Sequence, residues 1–232
     1  MTGVRPVLVL THVPHEGPGL IAAGIDGPLQ IRTVLHDAEP RLPALDSLGG
    51  VVVMGGPMDA DDERFPGLAA ERRLLADAVD AEVPVLGVCL GMQILALALG
   101  SRLHLRHGTE VGFAAVDVVA EDLVLGALGD RPTVLHWHSD AVDLPAGATL
   151  LASTPATPVQ AFRAGSALGL QFHPEVTVSM LDLWLGTPDM TADLEPEDVD
   201  AIRAGGGQHL PALVPAAEKA FAAFGELVRA RG

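Results

Sequence analysis

Residues 83–100 read VPVLGVCLGMQILALALG, with three glycines, one proline, no charge and the chain's single cysteine, Cys89. Eighteen nearly apolar residues reach the lower end of the roughly 17–25 that a membrane-spanning helix needs. Pro84, Gly87, Gly91 and Gln93 argue against that reading, acidic and alanine-rich sequence precedes the stretch, and no aromatic belt flanks it. It divides more naturally into a strand from Pro84 to Val88, a sharp turn, and a helix from Met92 to Leu99 that stops at Gly100. No membrane is expected as a partner.

The same alternation runs through the first hundred residues. Val7 to Leu10 and Val51 to Met54 are buried-strand candidates, the second breaking at Gly55-Gly56-Pro57. Between Arg64 and Val79 the apolar residues Leu68, Leu74, Leu75, Ala78 and Val79 follow helical spacing. Strand, helix, strand, helix predicts a parallel sheet covered on both faces. From about Leu103 to Gln171 the strand candidates VGFAAVDVV, TVLHW, ATLLAST, PVQAFR and ALGLQF are separated by turn signals, which predicts an antiparallel or mixed extension of that sheet. After Glu175 the chain turns helical, with a loop expected at Gly205-Gly206-Gly207 and an amphipathic helix from about Ala216 to Arg229. Trp184, Leu185, Phe221 and Phe224 of this part are expected in the core. No repeat or linker divides the sequence, so a single domain over 1–232 is expected, with a helical extension over about 176–232.

Lys and Arg number 14 against 30 Asp and Glu, a formal charge of −16, which disfavours nucleic acid and anionic membrane surfaces as partners. One cysteine cannot form an internal disulfide, and MTGVRPVLVL enters a strand with no signal-peptide cleavage pattern, so a cytoplasmic location is expected.

Four short segments can carry chemistry. In Gly87-Val88-Cys89-Leu90-Gly91 a cysteine stands at a strand-to-helix junction between two glycines. A nucleophile on such an elbow needs small neighbours at −2 and +2, because the backbone there is strained and closely approached. The helix start places positive dipole ends near the sulfur, and the Leu90 N–H can face a developing oxyanion. With 26 glycines in 232 residues, chance flanking at both positions occurs about once in eighty, so the pattern needs partners. They are offered by Gln171-Phe172-His173-Pro174-Glu175: an imidazole that can take and return a proton, and a carboxylate two residues on, facing the same side of an extended segment.

Val53-Met54-Gly55-Gly56-Pro57 lets backbone approach a ligand, and an N–H there would complete a two-donor oxyanion hole with Leu90; read alone, the segment is a plain tight turn. Asp59, Asp61, Asp62 and Glu63 read as a solvated, helix-capping run rather than a cation site. In Leu135-His136-Trp137-His138-Ser139-Asp140 two histidines share a strand face at a metal-ligand spacing, which His104, His107 and Asp140 could complete. There is no HExxH-like helix signature and no second thiolate, so no metal is expected.

Taken together, GVCLGMQ, GGP, HWHSDAVDLP and GLQFHPE, in this order and with THVPHEGPG near the start, resemble the class I (triad-type) glutamine amidotransferases. The likeness is greatest to stand-alone members related to the glutaminase domain of GMP synthase. The resemblance implies a three-layer, flavodoxin-like α/β sandwich with a mostly parallel central sheet and an antiparallel extension. It implies Cys89 as nucleophile, His173 as general base and acid, and Glu175 as the group orienting it. Gly56 and Leu90 match the oxyanion donors. Gly55, Gln93, Trp137, Ser139 and Asp140 fall where the family binds glutamine.

A synthetase region follows this domain in GMP synthase, whereas about 57 residues follow Glu175 here, and there is no GxxxxGK[ST] or SGGxDS-like segment for ATP. The expectation is an ammonia-producing glutaminase that needs no cofactor, acting on glutamine with a possible separate synthetase or acceptor subunit. The alternatives are a hydrolase or transferase of γ-glutamyl amides or peptides using the same triad, and a non-enzymatic regulatory or binding subunit that has kept the fold.

Overall fold

The strand expected from Pro84 runs over Val85–Val88, buried at every residue, and Leu90–Ala98 follows as a helix with Cys89 alone between them. In the computed structural model, which describes residues 4–231, the strands are β1 (Val7–Leu10), β2 (Leu29–Arg32), β3 (Gly50–Val53), β4 (Val85–Val88), β5 (Leu103–His104), β6 (Glu110–Ala115), β7 (Asp117–Val118), β8 (Thr133–His138), β9 (Ala141–Val142), β10 (Thr149–Ser153), β11 (Ala161–Ala164) and β12 (Ala167–Leu170). The α-helices are α1 (Gly19–Gly24), α2 (Pro66–Asp80), α3 (Leu90–Ala98), α4 (Val178–Leu185), α5 (Pro188–Thr191) and α6 (Pro196–Ala230).

Eight strands form one sheet in the order β2-β1-β3-β4-β12-β11-β10-β7. β2, β1, β3, β4 and β12 are mutually parallel, and β11, β10 and β7 continue antiparallel. Successive side chains of the central strands point to opposite faces. Val7, Val9, Val52, Leu86 and Val88 therefore meet α1, α4 and α6 through Ile21, Trp184, Phe221 and Phe224. Leu8, Leu10, Val51, Val53 and Val85 meet α2 and α3 through Leu68, Leu75, Ile94 and Leu95. The result is the expected three-layer, mostly parallel sandwich with an antiparallel extension, and Trp184, Leu185, Phe221 and Phe224 lie in its core.

Three expectations change. First, β6 and β8 leave the main sheet and form their own antiparallel pair, tied back where Leu135 bridges His173. The pairing puts Glu110 opposite His138 and Gly112 opposite His136, so one face of this ribbon carries Glu110, His136 and His138 rather than an apolar row. Second, Gly205-Gly206-Gly207 is no loop. One helix of 35 residues runs through it and through Pro211 and Pro215. A Cβ on Gly205 would meet the Phe113 ring at 2.8 Å and one on Gly206 would collide with Leu181, so the bare backbone is what lets α6 lie against β6 and α4. Packing there outweighs helix propensity. Third, the acidic run does not cap α2. The residue before that helix is Phe65, with no side-chain cap, while Asp62 accepts from the Arg64 backbone and guanidinium instead.

Among the described residues no helix is long and apolar enough to cross a membrane.

Candidate active site

The C-terminal ends of β3, β4 and β12 open into a cleft of about 330 Å³, where ligands settle in parallel α/β sheets. Cys89 stands at its base with φ of 52° and ψ of −109°, a conformation that costs a non-glycine residue of order 1–3 kcal/mol. The surroundings hold it there. The Cys89 N–H donates to Leu170 O of the neighbouring strand at 2.7 Å, and its carbonyl accepts from Gln93 N at 3.1 Å as α3 begins.

Both flanking glycines are required by backbone, not by side chains. A Cβ on Gly87 would lie 2.6 Å from Gly91 O, and one on Gly91 would strike the Val53 carbonyl of β3. Cys89 is 7 % exposed, and its sulfur lies 3.8 Å from Trp137 O on β8.

His173 follows β12, and its N–H donates to Leu135 O at 2.8 Å, so one strand end and β8 together fix its backbone. The imidazole Nδ1 is 2.9 Å from Glu175 Oε1, with both groups buried. Burial pushes the imidazole toward neutrality, but Glu175 and Cys89 outweigh it and hold His173 well above the usual histidine range. Trp184 of α4 meets the imidazole edge-on, with ring centroids 5.0 Å apart, and anchors its own indole N–H on His15 O at 2.8 Å. Trp184 thus packs beside an imidazole that meets Glu175 and Cys89.

Gly56, Cys89, Gln93, Trp137, Ser139, Asp140 and His173 line the cleft, while Gly55, Leu90 and Glu175 stand directly behind its wall. A Cβ added to Gly56 would lie 2.9 Å from Leu90 Cδ2, so the loop after β3 and the start of α3 adjoin. Gln93 reaches Gln171 Oε1 with its amide nitrogen at 3.2 Å. Asp140 accepts from the Arg106 N–H at 2.8 Å, which fixes one carboxylate oxygen.

Of the histidines weighed for a metal, His104 pairs with Asp143 at 2.8 Å. His136 and His138 draw together with Glu110. Glu110 Oε2 is already held by Gln160 Nε2 at 2.6 Å and Thr154 Oγ1 at 3.0 Å, with His138 Nε2 at 3.5 Å. Burial raises the Glu110 carboxyl, but hydrogen bonds with His138, Thr157 and Thr154 bring it down to about 2, and burial takes His136 down to about 4. Glu110 is thus engaged by Gln160 and Thr154, while both His136 nitrogens and His138 Nδ1 are buried without a hydrogen-bond partner.

Further residues adjoin the site, and the sequence motifs assign them no role. Glu16 lines the cleft, buried, and a Cβ on Gly55 would collide with its carboxylate. Burial, opposed by His173 and aided by Glu175, pushes the Glu16 carboxyl up. The segment from Glu16 to Gly19 packs on the triad's far side, with Leu20 N donating to Glu175 O at 3.0 Å. His12 and Glu71 meet behind Gly55, and for Glu71 a signal existed: it is a charge on the apolar stripe of α2.

With this geometry, the comparison with known proteins is specific. Residues 26–183 match the model of the class-I glutamine amidotransferases. The chain belongs to that family. Among curated relatives, the glutamine-hydrolyzing GMP synthase of Acinetobacter baylyi is 38% identical over 134 residues, covering 55% of this chain and 23% of that protein. The GMP synthase of Thermomicrobium roseum is 36% identical over 128 residues, again 55% of this chain and 23% of the relative. The chain thus spans about a quarter of the length of the curated relatives it matches. Among solved structures, a glutamine amidotransferase from Thermotoga maritima superposes with a TM-score of 0.87 at 27% identity, covering 97% of this chain and 98% of that one. A glutamine amidotransferase from Methylobacillus flagellatus gives 0.85 at 26% identity, covering 97% and 96%. Class I membership supports glutaminase-type amidohydrolase chemistry for this amidotransferase-family chain.

Proposed function

We propose that the protein releases ammonia from glutamine through a Cys89–His173–Glu175 triad and a γ-glutamyl thioester. The carrying observation is a cysteine at positive φ on a strand-to-helix elbow, in a cleft with a buried histidine that is itself paired to a carboxylate. The proton leaving Cys89 passes to His173, whose charged form Glu175 stabilises. The sulfur attacks the side-chain carboxamide, and the carbonyl oxygen becomes an oxyanion between the Gly56 and Leu90 amides. His173 then protonates the departing nitrogen, ammonia leaves, and the acyl group stays on sulfur. Water, deprotonated by the same histidine, attacks the thioester and frees glutamate. Losing one oxyanion donor typically costs roughly 2.7–4 kcal/mol of barrier. Gly55, Gln93, Trp137, Ser139 and Asp140 form the glutamine pocket in this reading.

The whole of 1–232 acts as one glutaminase domain, with its helical extension from about 176, and needs no cofactor or metal. In this reading the ammonia is available to a synthetase or acceptor subunit, and the setting is the cytoplasm. A second reading draws on the cleft's length. It runs past the elbow to Asp189, Met190, Asp193 and Leu194, which leaves room for the amine of a larger γ-glutamyl amide.

Glutamate release from glutamine and from a panel of γ-glutamyl amides separates the two readings, measured on the wild type and on Cys89→Ala. Ammonia and glutamate from glutamine, abolished in Cys89→Ala, is the expected outcome. Turnover unchanged in that variant would sink the mechanism, and turnover confined to γ-glutamyl amides would select the second substrate class.

A further inference from the structure

Leu68, Glu71, Leu75 and Ala78 follow each other along α2 at three- and four-residue steps, and all four are buried. A carboxylate in such a row is costly unless a partner of opposite charge reaches it. The partner is His12, just beyond β1, whose Nε2 lies 3.0 Å from Glu71 Oε2 with both side chains wholly shielded from solvent. The other ring nitrogen, Nδ1, is 2.8 Å from Gly55 O. A carbonyl oxygen can only accept, so Nδ1 bears a proton, and Nε2 facing a carboxylate bears the second. Burial alone would lower this imidazole, but Glu71, the Gly55 carbonyl and Glu16 outweigh it and hold it above the usual histidine range. His12 is thus a buried cation joining α2 to the loop after β3.

The point of attachment matters. Gly55 C=O and Gly56 N–H are the two ends of one peptide unit, and among the described residues no peptide bond is cis. In a planar trans unit the two point in opposite directions, so a bond that fixes the oxygen also fixes the N–H. Glycine on both sides leaves this plane unusually free to rotate unless something outside it acts. A charged donor on the oxygen supplies that constraint. It also polarises the amide, which strengthens its N–H as a donor on the far side.

We infer that the buried His12–Glu71 pair positions the Gly55–Gly56 peptide so that its N–H faces the oxyanion on the Cys89 adduct. Both are positioning residues, since they act through the peptide and do not touch substrate. The inference rests on the reading of Gly56 as an oxyanion donor, and it adds two residues outside the triad to the transition-state machinery.

The test uses the substrate that the wild type hydrolyses, together with the γ-aldehyde analogue of glutamine, which forms a tetrahedral adduct with a cysteine thiol. A misaimed donor is less damaging than the on the order of 100- to 1,000-fold loss on removing one. His12→Ala should therefore lower kcat by roughly 10- to 100-fold with KM changed less than about threefold, and weaken the aldehyde in proportion to the fall in kcat/KM. His12→Asn sets an amide donor near the Nδ1 position and should recover most of the loss, a rescue that a merely structural role would not give. Glu71→Gln keeps the shape and removes the charge, so its kcat should fall by a smaller factor. Should His12→Ala fail to fold with Glu71 left unpaired, the double variant His12→Leu/Glu71→Met removes both charges and leaves the peptide unheld. Folded His12→Ala, or the folded double variant, with kcat within about twofold of wild type would overturn the inference while the triad reading stands. A wild type that neither turns over substrate nor binds the aldehyde would overturn that reading and the inference with it.

Discussion

Two stretches of this chain are crowded with glycine, and they use it in opposite ways. At Gly87 and Gly91 the missing side chains let backbone meet backbone: β4 against the first turn of α3, and α3 against β3. The consequence is a turn sharp enough to hold Cys89 at positive φ. At Gly205-Gly206-Gly207 no turn forms, and the chain continues as α6. There the missing side chains admit Phe113 and Leu181, so a long helix can settle on its neighbours. Glycine in the first region makes a special conformation possible. In the second it accommodates an ordinary one at close quarters.

The comparison predicts graded outcomes. The largest belongs to Gly91→Ala, whose Cβ would strike the Val53 carbonyl, a group that cannot rotate away. Denaturant unfolding should reveal a loss of about 1–3 kcal/mol. Activity should fall on the order of 100-fold, because the elbow moves with α3. A smaller effect is expected for Gly206→Ala. Its Cβ meets the far end of the Leu181 side chain rather than backbone, overpacking is partly offset by better helix propensity, and the variant should be destabilised by about 1 kcal/mol with kcat unchanged. The smallest, with opposite sign, is Gly207→Ala. Nothing lies within 4 Å of a Cβ there, and thermal unfolding should report a gain of about 0.5–1 kcal/mol. A loss in Gly207→Ala equal to that in Gly206→Ala would mean that the helix needs flexible backbone here rather than space.

The same contrast explains what the sequence could and could not reveal. The elbow, the Gly55-Gly56-Pro57 turn and the His173–Glu175 spacing are local patterns visible in a few adjacent residues, and it is their combination in one chain that makes them readable as a site. Three strands of the parallel half, β1, β3 and β4, were equally legible, since buried β-strands are short apolar runs wherever they occur. By contrast β2, only half-buried at Leu29 and Gln30 and exposed beyond, carries no such run, and β12 was read into the extension although it pairs parallel with β4. The continuous α6 was not legible either, because Gly205 and Gly206 are decided by Phe113, about ninety residues earlier, and by Leu181. Trp184 was read correctly as core, yet nothing local hinted that its ring would meet His173 edge-on. Nor does any spacing announce that His12 and Glu71, fifty-nine positions apart, meet behind the glycine turn. Glu71 left one trace, a charge where the period of α2 calls for an apolar residue. Such a violation of the pattern marks a buried pair more sharply than any short motif does.

The proposed chemistry requires Cys89 to be the nucleophile of a glutamine pocket. The most direct measurement is the intact mass of the protein after incubation with a glutamine-like diazo-ketone, followed by peptide mapping and an assay of glutamate release. One added equivalent on Cys89, protection by excess glutamine and parallel loss of activity are the expected result. An unlabelled Cys89 in protein that still releases glutamate, or labelling that glutamine does not slow, would contradict it.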